Sequence, residues 1–292
     1  MLGVLVDPAG SVIARARRPT PRGQDAVIAG LCEIADELVA RGRSAGLVVG
    51  PVAIGMPGTI DRGTGRLTDC PVLDMSDVPV VDLVGRRLGH AVTLLHDVKT
   101  AAFGELVAGA GIGQGDAAYI NLGTGVSMVF VFGWKIHHGH TGTAGEIGHV
   151  VVDPDGELCN CGRRGCLEMV ASGPAIARLA GSPGRPLEDV AAEARAGDAR
   201  AVAAFEAAAK AIAGVLADYM MVLDLGVLMV GGGVSAVGSL LIDPLQAELD
   251  RLLLDVVESV RVVPAALGAE SGVIGAAHWS RLAHEGPGVG PW

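Results

Sequence analysis

One histidine and three cysteines lie within eighteen residues of one another in the middle of the chain. They are His149, Cys159, Cys161 and Cys166. Together they supply the number and the type of ligands that a tetrahedral structural zinc site uses. A closed site of this kind has no open coordination position for chemistry, so we expect it to fix the shape of a loop rather than to perform a reaction.

Composition narrows the class of protein. The chain has 292 residues, half of them apolar, and a net charge of −10, which argues against nucleic acid as a partner. It contains no apolar run long enough to span a membrane and no N-terminal basic segment followed by an apolar one, so we expect a cytoplasmic protein without a membrane partner. Cys32 lies in an apolar helical pattern and Cys70 is expected in a loop; we interpret both as buried or idle thiols.

Strand and helix patterns alternate along the chain. This alternation predicts an α/β protein with a largely parallel sheet. The predicted elements are a strand-turn-strand from Leu2 onward, a helix over 24–43, a strand ending at Asp97 with a helix after it, a second strand-turn-strand around 117–136, helices over 169–219, a buried strand at 227–233, a strand near 259–264 and a closing helix.

Asp97 stands where an apolar strand gives way to a helix, and such strand ends are where α/β sheets place ligands. A carboxylate there can act as a general base toward a substrate hydroxyl. Aspartate is also favoured as a helix N-cap, and from the sequence alone the cap is the safer interpretation.

Two glycine clusters could approach a phosphate or a flat ligand. Gly123, Thr124 and Gly125 form a tight turn, which is weak evidence because any hairpin can use one. Gly231, Gly232 and Gly233 follow a buried strand and are stronger evidence, although they could instead permit close packing.

Glu146 and Glu168 flank the histidine and cysteine cluster. Exposed carboxylates are usually only solvated, but two that are held against a rigid loop are candidates for hydrogen bonds to a polyol or sugar. His149 can bind zinc through one nitrogen and contact a ligand through the other.

Taken together, these segments resemble the ROK family of repressors, open reading frames and kinases, whose enzymes are mostly sugar kinases. The most specific matches are EIGH at 146–149 and CNCGRRGCLE at 159–168, and GMPGTID at 55–61, NLGTG at 121–125 and GGGVS at 231–235 follow the family order. The resemblance implies an actin-like ATPase fold with two ribonuclease-H-like domains flanking a cleft. We expect a small α/β domain at 1–97 with a closing helix at about 272–286, and a large α/β domain at 98–271 with the zinc loop at 146–168.

The resemblance also implies residue roles. Asp97 would be the catalytic base, and His149, Cys159, Cys161 and Cys166 would hold structural zinc. The cofactor would be ATP with Mg²⁺, with Gly123, Thr124 and Gly125 at its phosphates and Gly231, Gly232 and Gly233 at its adenosine. The sugar would be bound by His96, Glu146, His149, Glu168 and Gly58.

The sequence departs from the family pattern at several positions. Family members open with a strand and an Asp-x-Gly-Gly-Thr-Lys phosphate loop, and Leu2 to Asp7 match the strand that follows that loop. His96 stands where the family has a sugar-contacting Asn, Lys99 replaces a second Asn, and Pro71 and Met75 take the places of a sugar-contacting Asn and a Trp. We therefore expect weak or absent kinase activity from the chain as written, and either a sugar other than plain glucose or a lost sugar preference.

Two functions follow from these observations. The first is a glucokinase-like enzyme that uses ATP to phosphorylate a hydroxyl of a hexose or amino sugar, working as a homodimer or homotetramer. The second is a non-catalytic sugar-binding or regulatory protein of the same family. A DNA-binding repressor is least expected, because the chain has no room for the helix-turn-helix domain of such relatives.

Overall fold

The computed structural model describes residues 1–254 and 260–283. These residues form two compact units. The first consists of Met1–Gly109 and Glu270–Trp292, of which 270–283 are described, and the second consists of Ala110–Ala269.

The first unit is built from short sheets and four helices among its described residues. Its elements are β1 (Leu2–Val6), β2 (Val12–Arg17), α1 (Gln24–Ser44), β3 (Val52–Met56), β4 (Thr59–Asp61), β5 (Arg66–Cys70), β6 (Met75–Val78), α2 (Val80–Leu88), β7 (Val92–His96), α3 (Asp97–Ala108) and, near the end of the chain, α9 (Ser271–Ala283).

The second unit alternates strands with longer helices. Its elements are β8 (Ala117–Leu122), β9 (Val126–Phe132), β10 (Lys135–Ile136), α4 (Glu168–Ala171), α5 (Gly173–Leu179), α6 (Leu187–Arg195), α7 (Ala199–Leu223), β11 (Val227–Gly231), α8 (Ser239–Leu252) and β12 (Arg261–Pro264).

The sheets are mixed rather than largely parallel. In the second unit the strand order is β10-β9-β8-β11-β12, in which β8 pairs antiparallel with β9 and parallel with β11. In the first unit β1 pairs antiparallel with β2, β3 pairs parallel with β7, and β4, β5 and β6 form an antiparallel sheet of their own. The hairpins account for the difference, because a tight turn can join only antiparallel strands.

Most of the predicted elements are confirmed. Helix α1 begins and ends within one residue of the predicted helix, and α3 starts at Asp97 directly after β7. Strand β12 lies inside the segment predicted near 259–264, although residue 259 is outside the described residues. The closing helix ends at Ala283 in the described part of the chain, which stops before the expected end at about 286.

Helix α3 packs closely against α9, and both belong to the first unit, whereas the sequence placed the domain boundary at residue 97. Glycines bring the two backbones together. A Cβ on Gly104 would lie 2.2 Å from the carbonyl oxygen of Ser271, and a Cβ on Gly275 would lie 1.8 Å from that of Thr100. A side chain at either position would force the helices apart.

In each unit, a pair of parallel strands brings candidate site residues to one edge of its own sheet. Met56 at the end of β3 lies opposite His96 at the end of β7, so the loop that contains Gly58 and the carboxylate of Asp97 leave the sheet on the same side. In the second unit Asn121 lies opposite Gly231, which places both glycine clusters at one edge. The carboxyl edge of parallel strands is where α/β proteins bind ligands.

Candidate active site and metal centre

His149 and the three cysteines come together in the second unit. One ligand atom from each of the four side chains lies within 4.8 Å of all the others. Nδ1 of His149 lies 3.6 Å from Sγ of Cys159, and Sγ of Cys161 lies 3.6 Å from Sγ of Cys166. A tetrahedral zinc ion with bonds of about 2.3 Å to sulfur would space its ligands by about 3.7 Å, so this donor set fits zinc.

The same distances argue against a disulfide in the cluster. A disulfide needs its two sulfur atoms at about 2.05 Å. All five cysteines of the chain have free thiols. Since Nδ1 of His149 faces the cysteines, its Nε2 is the nitrogen that can face a ligand.

Hydrogen bonds between its own backbone groups hold the loop that carries the cysteines. The N–H of Cys159 donates to the carbonyl oxygen of Arg163 at 2.7 Å, and the N–H of Val152 donates to that of Gly165 at 2.8 Å. Gly165 has φ +61°, and a Cβ there would lie 1.5 Å from the carbonyl oxygen of Asp153. Only glycine fits at this position, and it lies directly before the candidate metal ligand Cys166.

The thiols of the cluster differ in their surroundings. Cys166 is completely buried, and this desolvation raises the pKa of its thiol to about 12. Cys161 is exposed, and a hydrogen bond from the backbone of Arg163 lowers the pKa of its thiol. A bound metal ion would hold both as thiolates, because the thiolate is the form that coordinates metal.

Asp97 is the first residue of α3, and its side chain is 42% exposed. Its Oδ1 accepts a 2.8 Å hydrogen bond from the N–H of Val98 and lies 3.2 Å from Nδ1 of His96. Its backbone carbonyl accepts a 2.7 Å hydrogen bond from Oγ1 of Thr100, which is fully buried. The carboxylate is therefore both held in place and accessible, as a general base requires.

The N-cap interpretation of Asp97 does not fit this geometry. His96 occupies the N-cap position of α3, and no side-chain cap hydrogen bond is formed there. A capping side chain accepts from the N–H two or three residues further on, whereas Asp97 accepts from its immediate neighbour. The carboxylate still gains from its place at the positive end of the helix dipole.

Cys70 lies beside this site, which the sequence did not indicate. It is the last residue of β5 rather than part of a loop, and it is completely buried. Burial raises the pKa of its thiol, and the nearby carboxylates of Asp97 and Asp69 raise it further. Gly58, with φ +100°, packs against it: a Cβ on Gly58 would lie 2.8 Å from that of Cys70 and 2.3 Å from the carbonyl oxygen of Asp69.

Pro71 and Met75 stand where the family has other residues. Met75 is buried in the core of the first unit, whereas Pro71 precedes Val72, a residue that is 62% exposed. Lys99 lies in the first turns of α3 and is only 7% exposed. Lys99 is thus largely part of the packing of α3, while His96, at the end of β7, is in contact with the candidate base.

The turn Gly123–Gly125 joins β8 to β9. The N–H of Gly123 donates to the carbonyl oxygen of Gly125 at 3.0 Å, and the side chain of Thr124 is exposed. The carbonyl oxygen of Gly123 accepts from the N–H of Gly173 at the start of α5. The turn is therefore rigid and presents its tip outward, which suits contact with a phosphate.

The three glycines at the end of β11, of which Gly231 is the last residue of the strand, have different surroundings. Gly231 is buried, and a Cβ there would lie 2.0 Å from the hydroxyl of Tyr119, so packing alone explains this glycine. Gly232, with φ +84°, lies against the carbonyl oxygen of Leu122. Gly233 is exposed and has no atom within 4 Å of a Cβ position, so it leaves room for a ligand.

The two glutamates that flank the histidine and cysteine cluster also differ in their surroundings. Glu146 is exposed, and its backbone carbonyl accepts from the N–H of His149 in a short 3-10 turn. Glu168 is the first residue of α4, and its Oε2 accepts a 3.0 Å hydrogen bond from the N–H of Val126. The structure thus brings Glu168, two residues after Cys166, to the glycine turn.

Comparison with known proteins decides the family. A family model described as ROK matches residues 1–283 of the chain. The chain belongs to the ROK family. A glucokinase of Thermotoga maritima is 34% identical to it over 294 residues, covering 94% of this chain and 91% of the relative. An N-acetylmannosamine kinase of Yersinia pestis is also 34% identical, covering 95% of this chain and 93% of the relative.

A solved structure confirms the fold. A ROK family glucokinase from Streptomyces griseus, in complex with glucose and AMPPNP, superposes with a TM-score of 0.81 at 33% identity, covering 98% of this chain and 99% of that one. The chain therefore has the actin-like ATPase fold that its sequence led us to expect. No helix in the described part of the ROK chain combines the length and the apolar character needed to cross a membrane.

Proposed function

We propose that the chain is an ATP-dependent sugar kinase that transfers the terminal phosphoryl group of ATP to a hydroxyl of a hexose or amino sugar. The similarity to kinases of glucose and of N-acetylmannosamine over more than nine-tenths of the chain supports this reaction. The observation that carries the proposal is the accessible carboxylate of Asp97 at the carboxyl end of β7, in a chain 33% identical to a structure that binds glucose and an ATP analogue.

Asp97 is proposed as the general base. As the sugar oxygen attacks the terminal phosphorus, its proton passes to the carboxylate, and the bond from that phosphorus to the bridging oxygen of ADP breaks. The hydrogen bond from the N–H of Val98 holds Oδ1 of the carboxylate, and Nδ1 of His96 lies 3.2 Å from the same oxygen. Positioning of this kind accounts for much of the rate enhancement in phosphoryl transfer.

The second unit is proposed to bind the remaining groups. Glu146, Glu168 and Nε2 of His149 are suited to hydrogen bonds with sugar hydroxyls, and the tip of the Gly123–Gly125 turn and the open space at Gly233 are suited to the nucleotide. Mg²⁺ would accompany ATP and neutralise charge on the phosphates. Zinc on His149 and the three cysteines would hold the sugar-binding side chains in place without entering the reaction.

A non-catalytic sugar-binding protein is the second candidate. It is favoured by the imidazole of His96, which takes the place of the family's sugar-contacting Asn and contacts the proposed base directly. Such a protein would keep the sugar site while losing turnover.

The first experiment is to measure ADP release with Mg-ATP across a panel of hexoses and N-acetylated amino sugars, with calorimetric titration of the same sugars in parallel. ADP release that depends on one sugar would support the kinase and would name its substrate. Sugar binding without ADP release would overturn the kinase in favour of the second candidate. If no sugar binds and no ADP is released, both candidates are wrong.

We also propose that the protein works in the cytoplasm as a homo-oligomer. The free cysteines support a reducing compartment, since a metal-binding thiol cluster needs reduced sulfur. Sedimentation of the purified chain would test the assembly.

A further inference from the structure

Glu168 connects two parts of the second unit that lie far apart in the sequence. Its Oε2 accepts a hydrogen bond from the N–H of Val126, 42 residues earlier in the chain. Val126 is the first residue of β9, directly after the Gly123–Gly125 turn. Glu168 itself follows the metal-ligand candidate Cys166 by two residues. The carboxylate therefore joins the cysteine loop to the turn proposed to face the phosphates of ATP.

Gly125 is shaped to admit this carboxylate. A Cβ on Gly125 would lie 2.7 Å from Oε2 of Glu168, closer than non-bonded atoms approach. Any side chain at 125 would displace the carboxylate from the N–H of Val126. Glycine at this position therefore leaves the room that the carboxylate of Glu168 occupies.

The segment around Glu168 holds the turn at a second point. The N–H of Gly173, five residues further on, donates a 2.8 Å hydrogen bond to the carbonyl oxygen of Gly123. One end of the turn is therefore bound through a carboxylate and the other through a backbone amide, both from the short stretch that follows the cysteine loop. A hydrogen bond to a charged acceptor is stronger than one between neutral groups, so Glu168 is the more important of the two.

We propose that Glu168 is a positioning residue for the nucleotide-binding turn, in addition to any contact that it makes with the sugar. One carboxylate oxygen fixes the peptide that follows Gly125, and the other is left to face the sugar. This inference rests on the proposed function, because it assigns the turn to the phosphates of ATP. It also implies that sugar and nucleotide binding are coupled through a single side chain.

The test is calorimetric titration of the Mg-AMPPNP complex without sugar, using Glu168→Ala, Glu168→Gln and the control Glu206→Gln, which changes an exposed glutamate on α7. We expect Glu168→Ala to weaken nucleotide binding about tenfold, in line with the loss of a charged hydrogen bond. Glu168→Gln should restore part of the loss, since its amide oxygen can still accept from the N–H of Val126. Glu206→Gln should bind AMPPNP like the original chain, because Glu206 is exposed on α7 and lies outside the residues proposed to bind sugar or nucleotide.

A double-mutant cycle with Gly125→Ala separates this contact from general damage. If the methyl group at 125 acts by displacing the carboxylate, combining Gly125→Ala with Glu168→Ala should add little to the effect of either change alone. Full additivity of the two effects would contradict the proposal. Circular dichroism and the melting temperature of each variant would show whether it is folded.

The outcomes separate the inference from the function on which it rests. Equal AMPPNP affinity in Glu168→Ala and in the original chain would overturn the positioning role and leave the kinase proposal intact. An original chain that binds no AMPPNP at all would overturn both. A rise in the KM for ATP in Glu168→Gln that exceeds the rise in Glu206→Gln would support the positioning role in the complete reaction.

Discussion

Oγ of Ser271 donates a 2.7 Å hydrogen bond to Oε1 of Glu105, although the two residues are 166 positions apart in the chain. Ser271 is 2% exposed and Glu105 is completely buried. The bond joins the start of α9 to the middle of α3 in the first unit. A buried carboxylate needs donors such as this hydroxyl to offset its loss of hydration.

Ser271→Ala should lower the free energy of unfolding by about 1–3 kcal/mol, because the buried carboxylate of Glu105 loses a donor. Urea unfolding followed by circular dichroism would measure the change. Ser44→Ala is a suitable control, since Ser44 is exposed at the end of α1 and its replacement should change stability by less than about 0.5 kcal/mol. Equal effects of the two substitutions would show that the buried hydrogen bond contributes nothing.

Asp97→Asn should lower kcat by about 100- to 10,000-fold while sugar affinity stays close to its original value. The amide keeps the shape of the side chain and an oxygen acceptor but cannot take the proton of the attacking hydroxyl. ADP release and sugar calorimetry would be measured on the same preparation. Asp82→Asn, at an exposed position on α2, serves as the control and should leave both unchanged. Turnover within a few-fold of the original would exclude Asp97 as the base.

Cys161→Ser should reduce the zinc content from about one ion per chain to a small fraction of that, because one of the four ligands is lost. Metal content would be measured by atomic absorption after dialysis. The matched control is Cys32→Ala, which removes a thiol of α1 that lies outside the cluster and should leave the zinc content unchanged. The assignment of the four ligands is wrong if Cys161→Ser retains its zinc after dialysis.

His278 should make stability depend on pH. Its ring is buried against Gly10 in the turn between β1 and β2, and this burial, with the charge of Arg281, lowers its pKa below the ordinary value of 6.5. Below about pH 6.5 the unfolded chain therefore binds more protons than the folded one, so stability should fall as the pH drops, by at most about 1.4 kcal/mol per pH unit. Thermal melts from pH 5 to 8 would measure this slope.

His278→Gln should flatten that pH dependence, whereas His140→Gln, at an exposed position, should not. A slope that survives in His278→Gln would mean that another group is responsible for it.

Local patterns were enough to predict much of the fold and the clustering of His149 with three cysteines. The 3.6-residue spacing of apolar positions located α1, and the apolar run before Asp97 located β7. The spacing of His149 and the cysteines predicted a cluster that the structure brings within 4.8 Å. These predictions are correct because each feature is determined by residues that are close in sequence.

The small sheet of β4, β5 and β6 was not predicted. Its strands have three to five residues, too short to show an alternating pattern, and Asp77 within β6 has φ +54°, which is unusual for any residue but glycine. Cys70 was consequently expected in a loop, although it ends β5 beside Asp97. The interpretation of its thiol as buried or idle agrees with the structure in the first respect, since Cys70 is completely buried.

The contact between Glu168 and Val126 could not have been predicted either, because it depends on the packing of segments 42 residues apart. The sequence indicated that Glu168 belonged to the site through its place beside Cys166. Only the folded structure shows that its carboxylate reaches the glycine turn.

The make-up of the first unit from two distant segments affects how the chain can fold as it leaves the ribosome. The second unit is continuous from Ala110 to Ala269, so it can fold as soon as its own residues have emerged. Helix α3 in the first unit must wait for α9, which is synthesised more than 160 residues later. During translation the face of α3 that carries Gly104 therefore stays uncovered while the second unit is made, and this interval is when a nascent chain would need a chaperone.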